Sequence, residues 1–138
     1  MAKDIYHQTV KDALVSDGWR IVKDPYRLEI DPTLIYDIDL AAERLIVAEK
    51  GIEQIIVEIK SFINQSVAYD FHAALGQYLV YKTGLEEIGE NSSLFLAVPV
   101  DTFDTFFQKI FIQKVLEKYG IKIISFDPLN KIISSWKK

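Results

Sequence analysis

The chain has 138 residues and a net charge of −4, with 49% hydrophobic residues, 26% charged residues and no cysteine. That length and usage suit one domain, residues 1–138, with one sizeable core, and argue against disorder. The missing cysteine excludes disulfides, a thiol nucleophile and a cysteine-based zinc site, and it fits a reducing, cytoplasmic setting.

Residues 4–17 read as a helix. Tyr6, Val10, Ala13 and Leu14 recur at helical spacing, Asp4 can cap the start and Gly18 can end it. Residues 19–23 alternate as a strand, Asp24-Pro25 signals a turn, and residues 26–30 continue the strand pattern until Asp31-Pro32. Residues 34–48 read as one long second strand and residues 53–62 as a third, joined at Lys50-Gly51 into a hairpin. Residues 67–88 form the central helix, with a stripe of Phe71, Leu75, Tyr78 and Leu79 and with Gly89 as its stop. Residues 94–100 are a short apolar run suited to a buried strand. Residues 102–119 read as one helix capped by Asp101 or Thr102, with Phe103, Phe107, Ile110 and Phe111 inward and Gly120 at its end. Residues 121–126 and 131–136 are strands on either side of Asp127-Pro128. Helix, three meandering strands, helix, strand, helix and two strands give an α/β fold, a mixed β-sheet flanked by helices.

The acidic balance speaks against a general nucleic-acid coat, which wants a basic face. It leaves room for a carboxylate metal site, which is acidic until a cation binds and attracts phosphate. The apolar runs fall far short of the roughly 20 residues of a membrane span. The start, Met1-Ala2-Lys3-Asp4, has no apolar signal region.

The segment from Asp37 to Glu43 and the tripeptide Glu58-Ile59-Lys60 carry the chemistry. Side chains alternate along a strand, so Ile56, Glu58 and Lys60 share one face and Ile55, Val57 and Ile59 the other. Two opposite charges on an otherwise apolar strand are costly unless paired or used. On the preceding strand Asp37, Asp39 and Glu43 share a face, and the hairpin can bring the Asp39 and Glu58 faces together. Two carboxylates beside a lysine suit phosphodiester cleavage. Hard oxygen ligands take Mg²⁺ or Mn²⁺, the ion activates a water, and the lysine acts on the water or on the transition state.

Asp39 followed by Glu58-Ile59-Lys60 resembles the PD-(D/E)xK nuclease signature, with Ile38 where the motif has proline. The resemblance implies a restriction-endonuclease-like core of helix, three strands, helix and strand. It also implies metal ligation by Asp39, Glu58 and the backbone carbonyl of Ile59. Gln77 and Tyr81, four apart on one helix face with Asp70 and Ala74, resemble the QxxxY element of the RecB-like branch. Nearly the whole chain resembles the XisH family, through residues 7–14, Asp17-Gly18-Trp19, Asp24-Pro25, residues 39–43, residues 57–62 and residues 70–78. That family is associated with programmed excision of the fdxN DNA element in heterocyst-forming cyanobacteria, with XisI as companion and a separate recombinase for strand exchange.

Each signal also has a plainer reading. Glu-x-Lys on a strand can be a solvated ion pair, and Asp37 a solvated strand residue. Glu43 is a second candidate on the Asp39 face. Gln77 and Tyr81 can fix the helix on the sheet. His7 can line the site or be a half-buried helix residue, and with His72 as the one other histidine a zinc site is not expected. The phenylalanines of residues 103–111 suit a core or a homodimer interface. Two functions stay open: a Mg²⁺-dependent DNA endonuclease, or a non-catalytic accessory protein that binds XisI, DNA or the recombinase.

Overall fold

The computed structural model describes residues 4–46 and 51–138. Helix α1 (His7–Ser16) leads to β1 (Arg20–Lys23), β2 (Tyr26–Asp31), β3 (Leu34–Ile38), β4 (Leu40–Ile46) and β5 (Gly51–Ile59). Helix α2 (Val67–Glu87), β6 (Ser93–Pro99), α3 (Val100–Asp104), a 3-10 turn at Phe106–Gln108, α4 (Ile110–Tyr119), β7 (Lys122–Asp127) and β8 (Ile132–Lys137) complete the chain. Six strands form a mixed sheet in the order β1-β4-β5-β6-β7-β8, as the mixed-sheet expectation required. β5, β6 and β7 run parallel, and β1, β4 and β8 are antiparallel to their neighbours.

The expected strand over residues 34–48 is two strands. It breaks at Asp39, and β2 and β3 form a separate two-stranded sheet. The meander therefore runs β1, β4, β5, with the β2–β3 hairpin as an excursion. Val47, Ala48 and Lys50 of the expected strand and turn lie outside the described residues.

Strand parity sorts the core into two faces. Ala41, Ile56, Leu94, Leu96 and Ile123 pack with Phe71, Ala74 and Tyr78 of α2 and with Leu28 and Ile38 of the hairpin. Leu40, Ala42, Ile55, Val57, Ile59 and Phe95 pack with Val10 and Leu14 of α1. Glu58 belongs to the α2 face by the same alternation.

Two expectations fail at the helix ends and breaks. Asp4 does not cap α1: its Oδ1 accepts from the Tyr6 amide and its Oδ2 from the Ser61 amide, 3.0 Å away. The single helix expected over residues 102–119 is α3, the 3-10 turn and α4, with extended backbone at Lys109. Neither Asp101 nor Thr102 supplies a side-chain cap; α3 already begins at Val100. The break lets Phe107 drop fully into the core, edge-on to Phe62 at 5.5 Å and to Phe71 at 5.6 Å. It also turns Ile110 and Phe111 outward, 78% and 72% exposed, where the sequence pattern placed them inward. Gly120 ends α4 in the left-handed conformation, as expected.

The packing predicts unequal costs for two phenylalanines. Phe107→Ala should destabilise the fold by about 3–5 kcal/mol in urea unfolding, because the cavity lies in a closed aromatic cluster. Phe111→Ala should change stability by less than about 0.5 kcal/mol, because its ring is in water.

Candidate metal centre

The site forms where β5 leaves the sheet. The β4–β5 ladder ends at the pair Leu40 and Val57. Beyond it the Ile59 amide is left without a β4 carbonyl, and the Asp39 side chain takes over: Oδ2 accepts from it at 2.7 Å. An unpartnered amide there would cost more than a hydrogen bond contributes. The bend at Asp39 thus brings its carboxylate beside Glu58.

Glu58 is 6% exposed and its Oε1 is buried without a hydrogen-bond partner. Its Oε2 lies 3.6 Å from Lys60 Nζ, an ion pair without a hydrogen bond. Burial and the adjacent Asp39 charge push the Glu58 carboxyl up to about 8, against the opposing pull of Lys60. Tyr81 of α2, also buried, faces the pair. Burial, Glu58 and Asp39 push its hydroxyl up to about 12, and its ring lies 5.4 Å from that of Tyr36 on the hairpin.

His7 enters from α1. Its Nδ1 is buried without a hydrogen-bond partner, 3.7 Å from Asp39 Oδ1. Its Nε2 donates to Asp24 Oδ1 at 2.7 Å, and Lys11 Nζ holds Asp24 Oδ2 at the same distance. Burial works against ionisation of Asp24, but Lys11 and His7 outweigh it and hold the carboxyl below its usual range.

Asp39, Glu58, Lys60, Tyr81 and His7 therefore converge. Gln77 lies one helical turn before Tyr81 with its Oε1 buried and unpartnered. Asp70 accepts from Asn64 Nδ2 at 3.0 Å through Oδ1, and Ala74 is core. Glu43 is not brought in. It pairs with Arg20 near the sheet edge, four strand positions or roughly 13 Å from Asp39. Asp37 is exposed on the hairpin. Asp24 and Lys11 stand in stretches that carry the family resemblance, and Asp24-Pro25 signals a turn, but the sequence pattern marks neither as a site residue.

Among the described residues no three His, Asp or Glu side chains converge tightly enough to hold a metal ion by themselves. A hard divalent ion does not need three. Mg²⁺ is bound through one or two carboxylates and keeps several waters. The orphaned Glu58 Oε1 and the repulsion between Glu58 and Asp39 are the features such a cation would relieve, so the residues present fit it.

A family model described as XisH protein matches residues 1–134. The crystal structure of an XisH family protein from Nostoc punctiforme PCC 73102 is 36% identical, covers 98% of this chain and 100% of that one, and superposes with a TM-score of 0.84. That of an fdxN element excision controlling factor protein from Anabaena variabilis is 34% identical, covers 99% and 100%, and has a TM-score of 0.85. No curated protein matches the chain significantly. No helix among the described residues is long and apolar enough to cross a membrane.

The raised Glu58 value makes stability depend on pH. The folded chain holds this proton longer than the unfolded chain does. The contribution is complete at low pH and is lost as pH rises through about 8. Without divalent cations, Glu58→Gln should match the wild type near about pH 4, below the ordinary glutamate value, and gain on it steadily above that. Near about pH 9 it should exceed it by on the order of 2–4 kcal/mol in urea unfolding.

Proposed function

The chain belongs to the XisH family, and from that premise we propose that it acts in controlling excision of a DNA element through a metal-dependent phosphodiester-cleaving site of the PD-(D/E)xK type. One observation carries the reading: a buried glutamate with an unpartnered oxygen stands beside a second carboxylate and a lysine. A chain does not bury an ionisable group this way for stability alone, because the charged form is strongly disfavoured there.

In this reading Asp39 and Glu58 would hold the ion, with the Ile59 carbonyl as a third oxygen. Mg²⁺ or Mn²⁺, when bound, lowers the pKa of a water and screens charge on the phosphate. Asp39 stays oriented because its other oxygen is tied to the Ile59 amide. Lys60 sits on the solvent side of Glu58, where its ammonium can orient the attacking water or stabilise the charged phosphorane-like transition state. His7 adds an unpartnered nitrogen beside Asp39, and Tyr81 and Gln77 close the site from α2. The water oxygen would bond to phosphorus and give its proton to solvent, the bridging P–O bond would break, and the leaving oxygen would take a proton from solvent.

A second reading keeps the fold without the chemistry. The outward Ile110 and Phe111 at the start of α4 favour it. In that reading this apolar pair is a docking point for a second copy, an XisI-like protein or a recombinase.

Cleavage of supercoiled and branched DNA with Mg²⁺ or Mn²⁺ separates the two. Glu58→Gln should abolish cleavage. Lys60→Ala should slow it by roughly 100-fold or more while leaving Mn²⁺ binding within about threefold, since the ammonium acts on the reaction and not on the ion. A wild type as inert as Glu58→Gln would leave the accessory reading.

A further inference from the structure

Asp24 lies outside the signature residues, yet it is tied to one side of a buried imidazole whose other side faces Asp39. The imidazole of His7 is wedged between two carboxylates. Nε2 is 2.7 Å from Asp24 Oδ1, and Nδ1 is 3.7 Å from Asp39 Oδ1. The first distance is a short charge-assisted hydrogen bond. The second is too long for any hydrogen bond. Two donors side by side on one octahedral cation with bonds of about 2.1 Å stand roughly 3.0 Å apart, so a side-chain shift of about 0.7 Å would bring Nδ1 and Oδ1 to a shared ion. The ring is 5% exposed and Nδ1 has no hydrogen-bond partner, which buried polar atoms rarely tolerate.

We infer that Asp24 is a positioning residue that holds His7 in its Nε2–H tautomer, so that the Nδ1 lone pair is presented toward a divalent cation at Asp39. This rests on the metal-site reading above. Imidazole ligands commonly give their second N–H to a carboxylate, which fixes the ring and sets which nitrogen is bare. Here the carboxylate is fixed in turn, because Lys11 Nζ lies 2.7 Å from Asp24 Oδ2. Lys11 stands one helical turn after His7 on α1, so one helix face supplies both the imidazole and the counter-charge that keeps Asp24 ionised. The arrangement adds a nitrogen to an otherwise all-oxygen site. Nitrogen ligation favours Mn²⁺ over Mg²⁺ more than two carboxylates alone would.

Two measurements test it without any assay of cleavage. The first is ¹⁵N NMR of histidine-labelled protein with saturating Mg²⁺. His7 and His72 are the only histidines, and His72→Gln assigns the signals. Wild type should show His7 protonated at Nε2 and bare at Nδ1. Asp24→Asn, whose side-chain oxygen still accepts, should keep that tautomer, and Asp24→Ala should mix the two. The second is calorimetric titration with MnCl₂. Asp24→Ala should weaken binding by about 10-fold or more, and Asp24→Asn by less than about threefold. An Asp24→Ala protein with unchanged tautomer and Mn²⁺ affinity overturns the inference. So does a wild-type His7 protonated on Nδ1, which decides the matter even if Asp24→Ala fails to fold. Loss of Mn²⁺ binding in Glu58→Gln but not in Asp24→Ala would remove Asp24's role and leave the metal site standing. A wild type that binds no Mn²⁺ would remove both.

Discussion

The hydrogen bond from the Ile59 amide to Asp39 Oδ2 is where sheet and site become one structure. It ends the β4–β5 ladder by replacing a backbone acceptor with a side chain. It holds the bend at which the chain leaves the hairpin and enters the main sheet. It also fixes one carboxylate oxygen at the backbone between Glu58 and Lys60. A backbone donor at a strand end must find an acceptor, and here the acceptor chosen is the group that the site needs in place. Orientation of Asp39 therefore comes from the same contact that closes the sheet.

Around that contact the charges are arranged against their own solvation. Glu58 sits on the α2 face among apolar side chains, with Asp39 alongside and Lys60 at the rim. The carboxyl's preference for its proton is the physical record of that placement. On the far side, Lys11, Asp24 and His7 form a chain of alternating donors and acceptors. The net charge of −4 thus coexists with a locally organised site, because chain totals say nothing about where charges converge.

Much of the site was legible from period-two alternation. Parity placed Glu58 and Lys60 on one face, and the short connection to the preceding strand made Asp39 a neighbour. The same pattern misplaced Glu43, because parity carries side but not distance: Glu43 shares a strand with Asp39's continuation and ends up beside Arg20. The hairpin β2–β3 was illegible because an alternating strand looks alike whichever partner it pairs with. The phenylalanine-rich helix was read too regularly. Burying Phe107 against Phe62 and Phe71 outweighs unbroken helical hydrogen bonding, and those partners lie far away in the chain.

By itself the sequence determined the alternation of helices and strands, the apolar faces of α1 and α2, the glycine stops and the presence of a Glu-x-Lys strand end. These are short-range properties, written by periodicity and by the backbone preferences of glycine and proline. Only the tertiary structure decided that Asp39 stands at a bend, that Asp24 reaches His7 across 17 residues, and that Ile110 and Phe111 face water. Each of these depends on which distant surfaces meet, and local pattern holds no record of that. The physical reason is that burial and hydrogen-bond satisfaction are settled by the whole packed sheet at once, whereas propensity is settled residue by residue.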